Sequence, residues 1–429
     1  MQIQLLLGQV LRFTGNPLVQ NWQDTCDHIA QGAVAVQGSK ILATGTAADL
    51  QHRYPGAAIT DYGNDLILPG FVDAHVHYPQ TAMIASWGKR LIDWLNTYTF
   101  PEETRLSDPD YANTIANRYC DLALAHGTTS FASFCTTAPA SVDAIFSAAA
   151  ARGMAVVAGK TCMDRNAPDT LIDTAARAFD ESKALIEKWH GQGRATYAIT
   201  PRFSPTSTPQ QMDALGQLWA EYPDCLMQTH LSEQVEEIAW VRDLYPNAQN
   251  YLDTYAQHGL LGARGVYGHS IHLEPDEIAK LADTGAAVVH CPTSNMFIGS
   301  GLFDALGLAR AGVNVGLATD IGGGSNFSML HTMAAAYEVG QLRGDALHPA
   351  QLIWMATQGS ARALHMHDQI GTLADGSAAD LVVLNLASTP AIAQRVDNAT
   401  GFWDALFPTI MMGDDRAIRQ TWVNGQAVF

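Results

Sequence analysis

The chain is short of positive charge: of 429 residues, 24 are Lys or Arg against 42 Asp or Glu, a net charge of -18 at pH 7. An acidic surface of that kind repels nucleic acid and anionic membrane, so neither is an expected partner. No run of 18 or more apolar residues occurs, which argues against a membrane-spanning helix. The opening MQIQLLLGQVLRF has no basic start, and its glutamines fall at strand-like intervals, so no secretory signal is expected there. The six cysteines (Cys26, Cys120, Cys135, Cys162, Cys225 and Cys291) form no C-x-x-C pair. In a chain this long they read as reduced thiols of a cytoplasmic protein rather than as a disulfide framework. Internal repeats and low-complexity tracts are missing too. What remains, 47% hydrophobic and 15% charged, is globular with a large core.

Both ends are β-rich. IQLLLGQVLRF and AVAVQGSKILATG near the start, and DLVVLNL and TWVNGQAVF near the end, read as short strands, with Asn424-Gly425 as a hairpin turn. They predict a small composite β-sandwich domain made from residues 1–64 and 370–429. Residues 65–369 alternate strands with helices. The candidate strands are LILPGFVDAHVH (66–77), TTSFASF (128–134), MAVVAGK (154–160), TYAITPRF (196–203), CLMQTH (225–230), GVYGHS (265–270), AAVVHCP (286–292) and VNVGLATD (313–320). Helical stretches such as SVDAIFSAAAARG and PDEIAKLADTG lie between them, each closed by glycine. Eight such units predict an α/β fold, a (β/α)8 TIM-type barrel; on count alone a doubly wound sheet also fits.

PGFVDAHVHYPQ (69–80) sets His75 and His77 two residues apart on a strand, so they share a face with Asp73. Among 15 histidines a His-x-His pair is a weak sign by itself. His365 and His367 form another, but after the helical stretch SARAL, where residues two apart do not face each other. The first pair gains from its company. His77, Arg202, His230, His269, His290 and Asp320 all fall at or near the C-terminal end of a candidate strand, the active-site face of a barrel. His75, His77, His230 and Asp320 offer nitrogen and oxygen donors to one catalytic zinc, which brings the pKa of bound water to about 7; iron accepts the same donors. Glu233, three residues after His230 in QTHLSE, can be carried back over the metal to take the water proton and pass it to a ring nitrogen and a leaving amine. Asp320 can also take a proton from that water, and His269 can hold the water or a developing oxyanion. Taken singly, each histidine reads as a hydrogen-bonded core residue, and Glu233 as a solvated residue of a helix's first turn.

Other motifs are excluded or secondary. The fourth strand closes in PRF, and the nearest lysine, Lys160, follows the third, so a lysine-bridged pair of metals is not expected. ATDIGGGS (318–325) lacks the Lys-Ser/Thr of a P-loop, and its glycines read as room for a substrate or a tight turn. His272-Leu273-Glu274 has the H-x-E form of cytidine-deaminase-type zinc enzymes, but no P-C-x-x-C accompanies it.

PGFVDAHVH, HLSE, GHS, HCPTSN, ATD and GTLADGSAADLVVL resemble the amidohydrolase superfamily over nearly the whole chain. Within it, HYPQ (77–80), RLIDWLNTYTFPEE (90–103), KTCMDRNAP (160–168), TPRFSPT (200–206) and TDIGGGSNFSML (319–330) resemble the guanine deaminase family. The resemblance implies a homodimeric enzyme with one zinc per chain that converts guanine and water to xanthine and ammonia. It puts metal ligands at His75, His77, His230 and Asp320, a proton-shuttling glutamate at Glu233, a water-associated histidine at His269, and base-binding residues at Gln80, Arg202 and Phe203. The last three suit a purine: Arg202 can donate to the carbonyl, Gln80 offers a donor and an acceptor, and Phe203 supplies an aromatic wall. Without the resemblance they read as a paired Arg, a loop Gln and a core Phe. Tyr98, Thr99, Phe100 and Glu102 are expected to form a segment covering the site. Differences from the family fall in the N-terminal strands and in a loop around 386–415. Two other readings stand beside this one: a deaminase of another aminated heterocycle (cytosine, a pterin or an s-triazine), and a non-catalytic scaffold. Arg202 bears on the first, since a base without a carbonyl needs no such donor; a scaffold has no need of Glu233, Asp320 and three histidines together.

Overall fold

The Pro69-Gly70 step, read in the sequence as part of one strand, divides two sheets. In the computed structural model, which describes residues 2–87 and 91–429, strand Ala58–Pro69 belongs to a sheet of the chain ends, while Phe71–Val76 begins a barrel. A Cβ at Gly70 would lie 2.2 Å from Thr129 Oγ1, so the chain passes there only as glycine. The expected domain boundary at residues 64 and 65 therefore falls inside a strand.

The end sheet has seven strands, in the order Gln426–Ala427, Ile418–Val423, Leu381–Leu384, Ala58–Pro69, Ile3–Phe13, Cys26–Gln37 and Lys40–Thr46. It curls back on itself. Ile41 N donates to Ser377 O at 3.0 Å and Ala379 N to Ser39 O at 2.9 Å, tying its last strand to the segment that enters Leu381–Leu384. Val34, Ile67, Leu381 and Trp422 fill one buried apolar cluster inside the curl. The final hairpin turns through Asn424 and Gly425 at φ 52° and 77°, the left-handed pair that a two-residue turn requires.

The region 386–415 is not a loop. It holds helices Pro390–Asp397 and Phe402–Met412, the second packed on helix Met329–Arg343. FWDALFPTIMM is apolar nearly all round and carries Pro408 inside, so no amphipathic period marks it as a surface helix.

The barrel strands are β1 (Phe71–Val76), β2 (Thr128–Phe134), β3 (Ala155–Gly159), β4 (Ala195–Pro201), β5 (Leu226–Leu231), β6 (Gly265–His269), β7 (Ala287–His290) and β8 (Asn314–Leu317). They pair in parallel in that order. Asp320 N donates to His75 O at 3.0 Å, and Thr319 N to Asp73 Oδ1 at 3.0 Å, joining the end of β8 to β1. Asp73, on the face shared with His75, is thus taken up by Thr319. Ala132, Val157, Ala198, Leu226, Val266 and Val289 belong to one buried cluster along successive strands, the layered filling of a barrel interior. Helices Pro109–Ala125, Pro139–Ala151 and Pro209–Glu221 each begin with proline at the first helical position, where its missing donor costs nothing. Between β1 and helix Pro109–Ala125 the chain makes an excursion containing the turn Tyr78–Met83 and helices Leu91–Trp94 and Phe100–Arg105. Arg90, the first residue of one motif quoted above, lies outside the described residues. Among the described residues no helix is long and apolar enough to cross a membrane, and all six cysteines are free thiols.

Candidate active site

His75 and His77 project together from β1, as strand alternation requires. Their Nε2 atoms lie 3.5 and 3.7 Å from Asp320 Oδ1, and the Nε2 atoms of His77 and His230 are 3.0 Å apart. His75, His77 and His230 form a group able to hold a metal ion, and Asp320 joins His75 in a second, overlapping one.

The chemistry of this donor set fits a metal. Nε2 of His75 is buried and finds no hydrogen-bond partner among the described residues, a costly state for a polar atom unless a ligand satisfies it. His230 Nδ1 donates to the carbonyl of Arg202 at 2.7 Å, so its Nε2 carries the lone pair and faces the other donors. Burial, reinforced by neighbouring histidines, holds His75, His77 and His230 well below the usual imidazole range, leaving them neutral and able to coordinate. Gly268 pairs with His230 across β5 and β6, and a Cβ there would lie 2.6 Å from the His75 ring.

Backbone strain turns the remaining polar groups inward. His269 and Asp320 have φ of 64° and 52°, a left-handed region that non-glycine residues seldom occupy. After inward-facing Gly268, alternation alone would point His269 away from the site; the left-handed turn brings it back. Its Nδ1 is 2.8 Å from Asn295 Oδ1, and its Nε2 is 3.6 Å from Glu233 Oε2 and 3.8 Å from Asp320 Oδ2. Burial pulls His269 down, but the Glu233 and Asp320 carboxylates outweigh it and raise it above its ordinary value. Burial pushes Asp320 up to about 6. Glu233 is only 3% exposed, not a solvated residue. Its Oε1 accepts from Ser300 Oγ at 2.9 Å, and its backbone N donates to Glu237 Oε2 at 2.9 Å.

A cavity opens before these groups, with Gln80, Trp94, Leu95, Arg202, Phe203 and Gly323 in its walls. Arg202 follows β4, and Gln80 lies on the turn after β1. Both reach Glu103. Gln80 Nε2 donates to Glu103 Oε1 at 2.8 Å, and Arg202 Nη1 donates to Oε1 at 3.0 Å and Oε2 at 2.8 Å. Gln80 Oε1 in turn accepts from Gly322 N at 3.3 Å, so the side-chain amide is held from both ends.

Two expectations need correcting. His290 does not join the site: its ring stacks on Phe303 at 4.5 Å, and burial drives its pKa down to about 3. Cys291 lies beside His75, His269 and Asp320, so alternation sends His290 outward. Glu102 does not cover the cavity either, because its carboxylate is bound by Arg105 at 2.8 Å and by Tyr111. From that segment it is Leu91, Trp94 and Leu95 that line the cavity, with Tyr98 and Phe100 packed behind them. Lys160 is fully buried and paired with Asp173 and, at 3.3 Å, with Glu181. Trp94 and Glu103 stand in the motif RLIDWLNTYTFPEE, and Asn295 in HCPTSN, but nothing in the sequence assigns them a role; Ser300 carries no signal of its own.

A model of the amidohydrolase family matches residues 66–428. The chain is 44% identical over 402 residues to a guanine deaminase of Escherichia coli (strain K12), covering 94% of this chain and 92% of that protein. Among solved structures, an E. coli guanine deaminase superposes with a TM-score of 0.97 at 42% identity, covering 99% of each chain. A guanine deaminase from C. acetobutylicum with guanine bound in its active site superposes with a TM-score of 0.90 at 28% identity, covering 100% of each chain.

Proposed function

The chain belongs to the amidohydrolase family, and from that premise we propose that it hydrolytically deaminates guanine. Water adds its oxygen to C2, the bond from C2 to the exocyclic amine breaks, and xanthine and ammonia leave. The observation that carries this reading is the meeting, across one cavity, of the His75–His77–His230–Asp320 donor set with Glu233 on one side and the Arg202–Gln80 pair on the other.

Zinc, held by His75, His77, His230 and Asp320, would supply the acidity that makes a water nucleophilic at neutral pH. The rest is done by the chain. Glu233, anchored by Ser300, moves the water's two protons in turn, the first to the ring nitrogen beside C2 and the second, released as the C2 hydroxyl becomes a carbonyl, to the departing amine. His269 faces both Glu233 and Asp320 and orients the attacking water, while Asp320 doubles as a proton acceptor. Arg202 donates to the C6 carbonyl, which sets guanine apart from adenine. Gln80 binds the purine edge, and Phe203 forms a wall beside the ring. One metal per chain is favoured because Lys160 is committed to Asp173 and Glu181. The family resemblance supports a homodimer, and the free thiols support a cytoplasmic location.

The test is ammonia release from guanine, adenine, cytosine and isoxanthopterin, run beside elemental analysis of the same preparation. Guanine is expected to be turned over fastest, with zinc near one per chain; preference for another base would overturn the assignment.

A further inference from the structure

Glu103 is 1% exposed and takes no part in the cavity wall, yet it binds two groups that do. They arrive from separate elements, Arg202 from the end of β4 and Gln80 from the turn after β1, and a single carboxylate accepts three hydrogen bonds from them. The Arg202 side chain is itself only 4% exposed. A guanidinium that deep requires a counter-charge, and among the described residues Glu103 is its ion-pair partner. Only Nη1 of Arg202 is bonded to Glu103, so other donors of the fork remain for a carbonyl.

The local sequence explains how Glu103 gets there. Phe100 and Glu103 stand three residues apart on helix Phe100–Arg105, hence on one face. The Phe100 ring lies 5.5 Å from the guanidinium carbon of Arg202, where a cation is favourable. Glu102, one position back, is turned to Arg105 and Tyr111 instead. The short helix thus presents an aromatic face and a carboxylate to the same guanidinium.

We infer that Glu103 is a positioning residue that sets selectivity for a carbonyl-bearing purine, by locking Arg202 and Gln80 into one frame. The inference rests on the guanine reading above. It separates recognition from chemistry: Glu103 touches neither the donor set nor Glu233, so its loss loosens the grip on the base and leaves the hydrolytic groups in place.

The test compares the zinc-loaded wild type with Glu103→Gln and Glu103→Asp, using guanine and 2-aminopurine, which carries the same amine but no carbonyl. 2-Aminopurine is followed as a substrate or as a competitive inhibitor. Glu103→Gln is expected to raise the guanine KM about ten-fold or more with a much smaller change in kcat. The response to 2-aminopurine should stay within roughly two-fold, and Glu103→Asp should fall between the two. Zinc content and thermal melting show whether each variant is intact, and if Glu103→Gln does not fold, the Asp variant decides. Unchanged guanine KM, or equal losses on both compounds, would overturn the role of Glu103. A wild type that releases no ammonia from guanine would instead overturn the functional reading, so the two failures are told apart.

Discussion

The wall of the cavity that faces the metal donors comes from the barrel itself, with His75 and His77 on β1, His230 on β5, His269 on β6 and Asp320 beyond β8. The excursion after β1 supplies another part of the lining, Gln80, Leu91, Trp94 and Leu95, with Glu103 bound to Gln80 and Arg202. The first wall inherits its geometry from the parallel ladder and from two left-handed residues at strand ends. The second is held by a six-residue helix and one buried carboxylate. In the proposed reaction, chemistry is therefore built on strand ends, while recognition is shared between the end of β4, which carries Arg202 and Phe203, and the excursion after β1, which carries Gln80.

Arg202 belongs to both walls, which makes it the place to separate them. Its side chain lines the cavity, while its carbonyl accepts the Nδ1–H of His230 and fixes that ring. The largest effect is expected on the chemical side: Glu233→Gln keeps the bond from Ser300 but removes the proton acceptor. It should lower kcat by about 100- to 10,000-fold, with zinc per chain unchanged in elemental analysis. Turnover near that of the wild type would remove Glu233 from the mechanism. A smaller loss is expected from Arg202→Ala, which deletes the guanidinium and keeps the carbonyl. Steady-state kinetics should show kcat/KM for guanine down by about 10- to 150-fold, the worth of a hydrogen bond to a charged group at ~1.5–3 kcal/mol. Zinc content should hold; if this variant loses zinc, the two walls are not separable as described.

The same division decides what could be read from sequence. The pairing of His75 with His77 follows from strand alternation, and the gathering of His230, His269 and Asp320 from strand ends in a barrel. Alternation also separates two histidines that strand ends alone do not. His290 ends β7 as plausibly as His230 lies near the end of β5, yet it sits one step out of phase and faces Phe303. His269 is the converse case: out of phase by alternation and restored by its left-handed backbone, which a sequence does not display. Arg202 falls at a candidate strand end, but its role at a base, like those of Gln80 and Phe203, came only through resemblance to a family, because residues in a turn or loop have no periodicity to reveal their direction. For Glu102 and Glu103 the choice between neighbours depends on the phase of a helix shorter than two turns, and the phase was invisible until Phe100 was seen against Arg202. Pro69-Gly70 hid a boundary for a related reason: both sides are apolar and strand-like, and only the close approach of Thr129 shows that the sheets part there.

Activity measured against bound metal tests the central claim most directly. Protein stripped with a chelator and titrated with zinc should regain guanine deamination in proportion to the metal bound, levelling off at one per chain. Full activity in the stripped protein, or a plateau reached only at two per chain, would contradict a single site built from His75, His77, His230 and Asp320.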